Sequence, residues 1–160
     1  MYKIDNIDSQ IVDLLIIDGR MPASEVARRI GKISERVARY RIERMVAEGV
    51  IRICAIPDPK MLGFAVIADV FIEADASKIQ DVANQLVAYE FISYVACSIG
   101  ESDISVQVIA HNSDEVYIFA TDVIGKIPGV RKTTTSIVPL ILKDIYDWKI
   151  PSSIWQNSTE

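Results

Sequence analysis

The sequence predicts an α+β chain, with an N-terminal winged helix-turn-helix followed by a βαββαβ ferredoxin-like sandwich. Three observations carry that prediction. Short amphipathic helical patterns recur from near Asp8 through residue 49. Pro57, Pro59 and Gly63 then interrupt any regular element. Beyond them, strand and helix patterns alternate as strand-helix-strand, twice over.

The first helix is expected to start near Asp8, an N-cap residue type, and to turn Ile11, Leu14 and Leu15 inward before Gly19. A second runs from Pro22 or Ala23, with Val26, Ala27 and Ile30 inward, and stops at Gly31. Ser34 is suited to cap a third, which places Val37, Arg41, Ile42 and Met45 on one side. Val50–Cys54 and the stretch before Pro57 read as short wing strands.

After the break, Phe64–Ile72 is a nearly continuous apolar run and reads as a strand. Ala76–Ala88 carries the stripe Ile79, Val82, Ala83, Leu86 of an amphipathic helix. Ser93–Ile99 and Ile104–Ala110 are strands, Asp114–Ile124 a helix, and Thr133–Leu142 a closing strand. The first strand is apolar on both sides, with Val66, Val70 and Ile72 opposed by Ile67 and Phe71. Two helices cover only one face of such a sheet, so a second subunit is expected on the other. The expected domains are 1–56, a linker 57–63, a sandwich 64–145 and a tail 146–160 with Trp148 and Trp155 as anchors.

Charge separates the two halves. Residues 1–60 hold 11 basic and 9 acidic residues, whereas 61–160 hold 6 and 13. Between Arg20 and Arg44, eight basic residues face only three acidic ones, in a chain of net charge −5. Nucleic acid, if bound, therefore belongs to the first half. Only Arg131 stands beyond Arg52 among the arginines. Cys54 and Cys97 lie in apolar surroundings with no metal-ligand spacing, and are expected to be buried, inert thiols. His111 is the single histidine, which removes most histidine-based catalytic and zinc schemes. No phosphate-binding or nucleophile-elbow signature appears. No catalytic residue, metal or cofactor is expected, and with neither a membrane-spanning run nor a secretory leader a cytoplasmic protein is expected.

The candidate DNA-facing residues are Ser34, Glu35, Arg36, Arg39, Tyr40 and Arg44 on the third helix, with Arg28 and Arg29 set for phosphate. Arginine grips guanine through two hydrogen bonds, and a helix start favours phosphate. Arg41 falls on the inward side, where a charged group needs a partner, and Asp8 or Asp13 is the expected one.

The order of these features resembles the Lrp/AsnC family of transcriptional regulators (feast/famine regulatory proteins) over roughly residues 4 to 145. The carrying segments are IDNIDSQIVDLL at 4–15, GRMPASEVARRIG at 19–31, Ser34…Arg41…Met45 with GVI at 49–51, DPKMLG at 58–63, GESD at 100–103 and IPGVRKTTT at 127–135. Two departures stand out. The turn Gly31-Lys32-Ile33-Ser34 is one residue longer than the family's usual Gly-apolar-Ser, with room to alter how the recognition helix docks. Ile53-Cys54 stands where the family often has Gly-Tyr or Gly-Phe.

The resemblance implies double-stranded DNA as a partner, a RAM-type sensing domain, an amino-acid effector, and a homodimer that can build into a tetramer or octamer. It also implies that the loop Gly100-Glu101-Ser102-Asp103 contributes to the effector site. Loop N–H groups and the hydroxyls of Thr133, Thr134 and Thr135 would take the effector carboxylate, and Asp103 or Glu101 its ammonium. Two other readings share the architecture: a siroheme decarboxylase-like enzyme, and a co-regulatory subunit that does not bind DNA. A second half with one histidine and one arginine is poor in the side chains a tetrapyrrole pocket needs.

Overall fold

A computed structural model describes residues 2–156. It divides into two compact units, Met1–Ile56 with Leu142–Glu160, and Pro57–Ile141.

The helical unit holds α1 (Asn6–Ile17), α2 (Ala23–Ile30) and α3 (Glu35–Ala47). The first helix starts earlier than Asp8. Asp5 is the N-cap, and Asp5 and Asp8 each accept the other's backbone N–H, at 2.9 and 3.2 Å. Asp8 is thus a buried N3 residue that closes the capping box, not the N-cap itself. Gly31 ends α2 in the left-handed region, with φ 71°, where a side chain would be strained. The longer turn is absorbed before Ser34, whose Oγ accepts the Val37 N–H at 3.3 Å and caps α3. Ile11, Val26, Ala38 and Met45 are fully buried at the centre. Ala38 takes the inward place expected of Val37, which is exposed, because the helix turns about 100° per residue and Arg41 shares its face with Ala38.

The expected wing strands do not form among the described residues. Val50 and Ile51 N–H groups turn back to the Met45 carbonyl, at 2.8 and 3.3 Å, and Pro57 ends the run. A lone extended segment has no ladder partner. Cys54 is exposed there, against the expectation of a buried thiol. Residues 142–156 group with the helices rather than with the sheet. Ile150 packs against their core, and Lys149 Nζ lies 4.0 Å from Asp13 Oδ1. Trp155 is half-buried and Trp148 exposed.

The second unit is a four-stranded antiparallel sheet in the order β2-β3-β1-β4, from β1 (Val66–Ala74), β2 (Ile92–Cys97), β3 (Ile104–Ala110) and β4 (Val130–Ile137). One face, with Val70, Ile72, Ile104, Val106 and Val108, is buried beneath α4 (Ile79–Val87) and the α5 (Ser113–Ile118) segment. The other face presents Ile67, Phe71, Tyr94 and Ile109, of which Phe71 and Tyr94 are exposed. β4 runs from Val130 because Val130 and Lys132 pair with Ala74 and Glu73, and it ends before Pro139, which has no N–H to donate. Cys97 sits on the last pair of edge strand β2 and is exposed too. The expected helix 114–124 is composite: α5 passes into a π-helical turn, Phe119–Val123, then a 3-10 turn, Ile124–Lys126. Within it the Thr121 hydroxyl donates to the Tyr117 carbonyl at 2.9 Å, a local bond that competes with the regular ladder.

Candidate DNA interface and effector loop

The outward face of α3 carries Glu35, Arg36, Arg39, Tyr40 and Arg44, all exposed. Their electrostatic settings differ. Arg39 donates to Glu35 at 2.5 Å, one turn back. Arg44 donates to Glu48 at 3.2 Å, and its guanidinium lies 4.9 Å from the centroid of the Tyr2 ring. Among the described residues Arg36 has no acidic partner. On α2, Arg28 grips Glu25 through both carboxylate oxygens at 2.7 and 2.6 Å, and Arg29 adds a third bond at 2.7 Å. These hydrogen bonds hold the Glu25 carboxyl at a pKa of about 2. The α2 arginines are thus held by an internal anion.

Arg41 does a different job. Its Nη1 donates to Asp5 Oδ2 and to Asp8 Oδ1, each at 2.8 Å, with the Asp8 side chain only 2 % exposed. Burial raises the Asp5 pKa, but the Asp8 N–H and the guanidinium outweigh it and hold the carboxyl below its ordinary range. Of the two expected partners, Asp8 is the one used. Asp13 Oδ1 is buried without a hydrogen bond among the described residues. Asp5 and the Tyr2 contact to Arg44 escaped the sequence reading; the signal for Asp5 was its three-residue spacing from Asp8.

The loop Gly100–Asp103 closes one end of the sheet, beside Ala74 and the start of β4. Gly100 has φ 151°. Asp103 is engaged in holding that end together. Its Oδ2 accepts the Ala74 N–H at 2.8 Å, its N–H donates to the Ile72 carbonyl, and its own carbonyl accepts from Ser98. Arg131, the one arginine of the second half, brings Nη2 within 3.9 Å of Asp103 and Nε within 3.9 Å of Asp75. Next to it Lys132 bonds Glu73 at 2.8 Å. Arg131, Asp75 and this Lys132–Glu73 pair were missed as loop neighbours. The isolation of Arg131 in an acidic half was the available signal. Register divides the three threonines: Thr133 and Thr135 share the side of Ile72 and Val70, while Thr134 sits with Phe71 on the opposite side. Within one chain these hydroxyls do not converge.

No group of three or more metal-ligating side chains occurs among the described residues, and no helix of theirs is long and apolar enough to cross a membrane.

Both units match known domains. Residues 4–46 match the AsnC-type helix-turn-helix domain, and residues 66–146 the Lrp/AsnC ligand binding domain. The transcriptional regulator FL11 of Pyrococcus abyssi is 39% identical over 137 residues, covering 85% of this chain and 89% of that protein. LrpA of Pyrococcus horikoshii is 30% identical, covering 84% and 96%. Among solved structures, AsnC of Escherichia coli superposes with a TM-score of 0.80 at 26% identity, covering 91% and 99%. A Neisseria meningitidis transcriptional regulator in complex with L-Met shares the fold, with a TM-score of 0.81 at 19% identity, covering 88% and 93%. The chain is a DNA-binding transcriptional regulator with a small-molecule ligand-binding domain, not an enzyme, and it belongs to the Lrp/AsnC family.

Proposed function

We propose that the protein is a cytoplasmic, sequence-specific regulator that reads DNA with α3 and answers to an amino acid. The observation that carries the DNA half is Arg36, an exposed guanidinium in the first turns of α3 with no carboxylate among the described residues to hold it. An unpaired guanidinium there is ready for a bidentate contact to guanine, with Arg39 and Arg44 following once Glu35 and Glu48 release them. Tyr40 and Ser34 extend the same face, and Glu35 tunes Arg39. Arg28 and Arg29 take phosphate and set register without reading sequence.

The effector half rests on the polar end of the sheet. Gly100, Glu101 and Ser102 offer backbone donors, and Arg131 adds a cation for a carboxylate. Among the described residues Glu101 has no hydrogen-bonded partner and is the better acceptor for an ammonium, since Asp103 is committed to Ala74. Thr133 and Thr134 lie on different sides of the sheet, so a complete site needs residues from another subunit. The half-apolar outer face, with Ile67, Phe71, Tyr94 and Ile109, is the surface through which two copies join. A homodimer holds two recognition helices about 34 Å apart, or a multiple of that, and dimers build into a tetramer or octamer. An effector with different affinities for two assemblies then shifts operator binding.

Fluorescence anisotropy with operator-length duplex tests the DNA half: binding that weakens steeply with salt is expected. No binding even at low salt, with hetero-oligomer formation instead, would mark a co-regulatory subunit that has lost DNA recognition. Screening the amino acids by thermal shift, with the assembly state measured for each hit, tests the sensor half. No stabilisation by any of them would end it.

A further inference from the structure

The sheet unit contains a cavity of about 280 Å³ that the effector reading does not use. It lies at the far end of β3 from the Gly100–Asp103 loop, beside Ala110 and His111. Phe91, Val108 and Ala110 form one side, and Ile118, Phe119 and Val123 the other. The volume exceeds the roughly 150 Å³ of an engineered apolar cavity that takes up benzene. Its second wall is the π-helical turn Phe119–Val123, and π turns inside α-helices collect at functional sites. An apolar hollow and an irregular helix each cost stability, and here they coincide. That coincidence points to an occupant.

The mouth says what kind. The His111 ring lies 4.4 Å from the Phe64 ring, tilted by 34°, and its Nδ1 lies 2.9 Å from Glu115 Oε2. Among the described residues Glu115 Oε1 holds only a long 3.4 Å bond from Asn112, which leaves that oxygen an open acceptor. No lysine or arginine lines the cavity. A ligand carboxylate would meet Glu115 with no fixed cation beside it, whereas an ammonium would meet a carboxylate and aromatic faces. We propose that this cavity is a second ligand site, selective for a small primary amine with an apolar, aromatic-sized body and no carboxylate.

Three probes of one shape separate the chemistries: phenethylamine, phenylalanine and 3-phenylpropionate, titrated into the full chain with the isoleucine methyls followed by NMR. The expected result is saturable shifts at Ile118 with phenethylamine. It should bind at least about tenfold more tightly than the acid, a difference of about 1.4 kcal/mol, with phenylalanine between. Ile118→Trp, at a half-exposed position, should fill the hollow and abolish that binding, its fold checked by far-UV circular dichroism. Glu115→Gln should keep the fold and erase the preference for amine over acid. The proposal is overturned by the absence of saturable shifts, by an acid that binds as tightly as the amine, or by undiminished binding in a folded Ile118→Trp chain. An unchanged preference in Glu115→Gln would equally remove the role given to that carboxylate.

Discussion

The helical unit and the sheet unit solve burial in opposite ways. The buried side chains at the centre of the sheet unit are aliphatic, Val70, Ile72, Val82, Leu86, Ile104, Val106 and Ile124 among them. The helical unit, with a smaller apolar centre, buries two polar residues as well, Asp8 and Ser9. Asp8 is satisfied by Arg41 from the third helix, and Asp5 completes the same cluster. Aliphatic layers gain stability roughly in proportion to the apolar area they bury, with no directional pairing between side chains. An ion cluster gains little net energy but is satisfied in one geometry, so it fixes α3 against α1. The part that must present side chains to DNA has the geometric constraint.

The first way to break that contrast is to truncate the aliphatic layer. Ile72→Ala should cost about 4 kcal/mol, since deleted methyl groups lose transfer energy and leave a cavity. Urea denaturation followed by circular dichroism measures it, and a cost under about 1 kcal/mol would mean the layer repacks freely. Next comes the ion cluster. Arg41→Met should cost about 3 kcal/mol by stranding the buried Asp8 charge. Adding Asp8→Asn should recover part of that loss, because the stranded charge is gone. If the double variant is no better than the single one, packing rather than charge holds the two helices together.

The contrast also explains what could be read from the residues alone. The aliphatic stripe of α4 and the alternation in β3 announce themselves, because burial in a sheet repeats with a fixed period and needs no knowledge of partners. Arg41 was legible as a buried cation, but the choice of Asp5 and Asp8 over Asp13 depends on a capping box that shifts the start of α1 by one turn. Both cysteines were misread for one reason. Apolar neighbours in sequence imply burial only if the strand gains a partner on each side, and Cys54 has no ladder while Cys97 lies on an edge. The Gly100–Asp103 loop was legible as a turn, yet Arg131 joins it only through the β1–β4 register. The π turn has no sequence signature of that kind: its residues carry an ordinary helical stripe.

Smaller effects test whether the outward arginines are as differently set as they look. Arg36→Ala should weaken operator binding by about tenfold or more and relax preference at one base pair, as loss of a bidentate base contact does. Arg28→Ala should weaken all duplexes alike and flatten the salt dependence by about one phosphate contact. If Arg36→Ala behaves in that second way, it is a phosphate ligand and the division between the two helices fails.

The smallest effect isolates Glu25, the anion that holds Arg28 and Arg29. Its carboxyl is depressed from an ordinary 4.5 to about 2 by the hydrogen bonds from those arginines. A depressed pKa means the ionised form is favoured by the fold. Its contribution is therefore fully present above 4.5 and is lost only as pH falls through about 2. From pH 8 to pH 5 the latch stays closed, so the part of DNA affinity owed to α2 should not change with pH in that window. Glu25→Gln removes the anion at every pH. It should raise affinity for random duplex a few-fold at low salt and steepen the salt dependence, because two freed guanidinium groups release more counterions. Affinity measured against salt at pH 5 and pH 8 decides the matter: a wild-type chain that gains random-duplex affinity on going to pH 5 would have its latch elsewhere. A Glu25→Gln chain that loses affinity would show the pairing to be a means of aiming the arginines rather than restraining them.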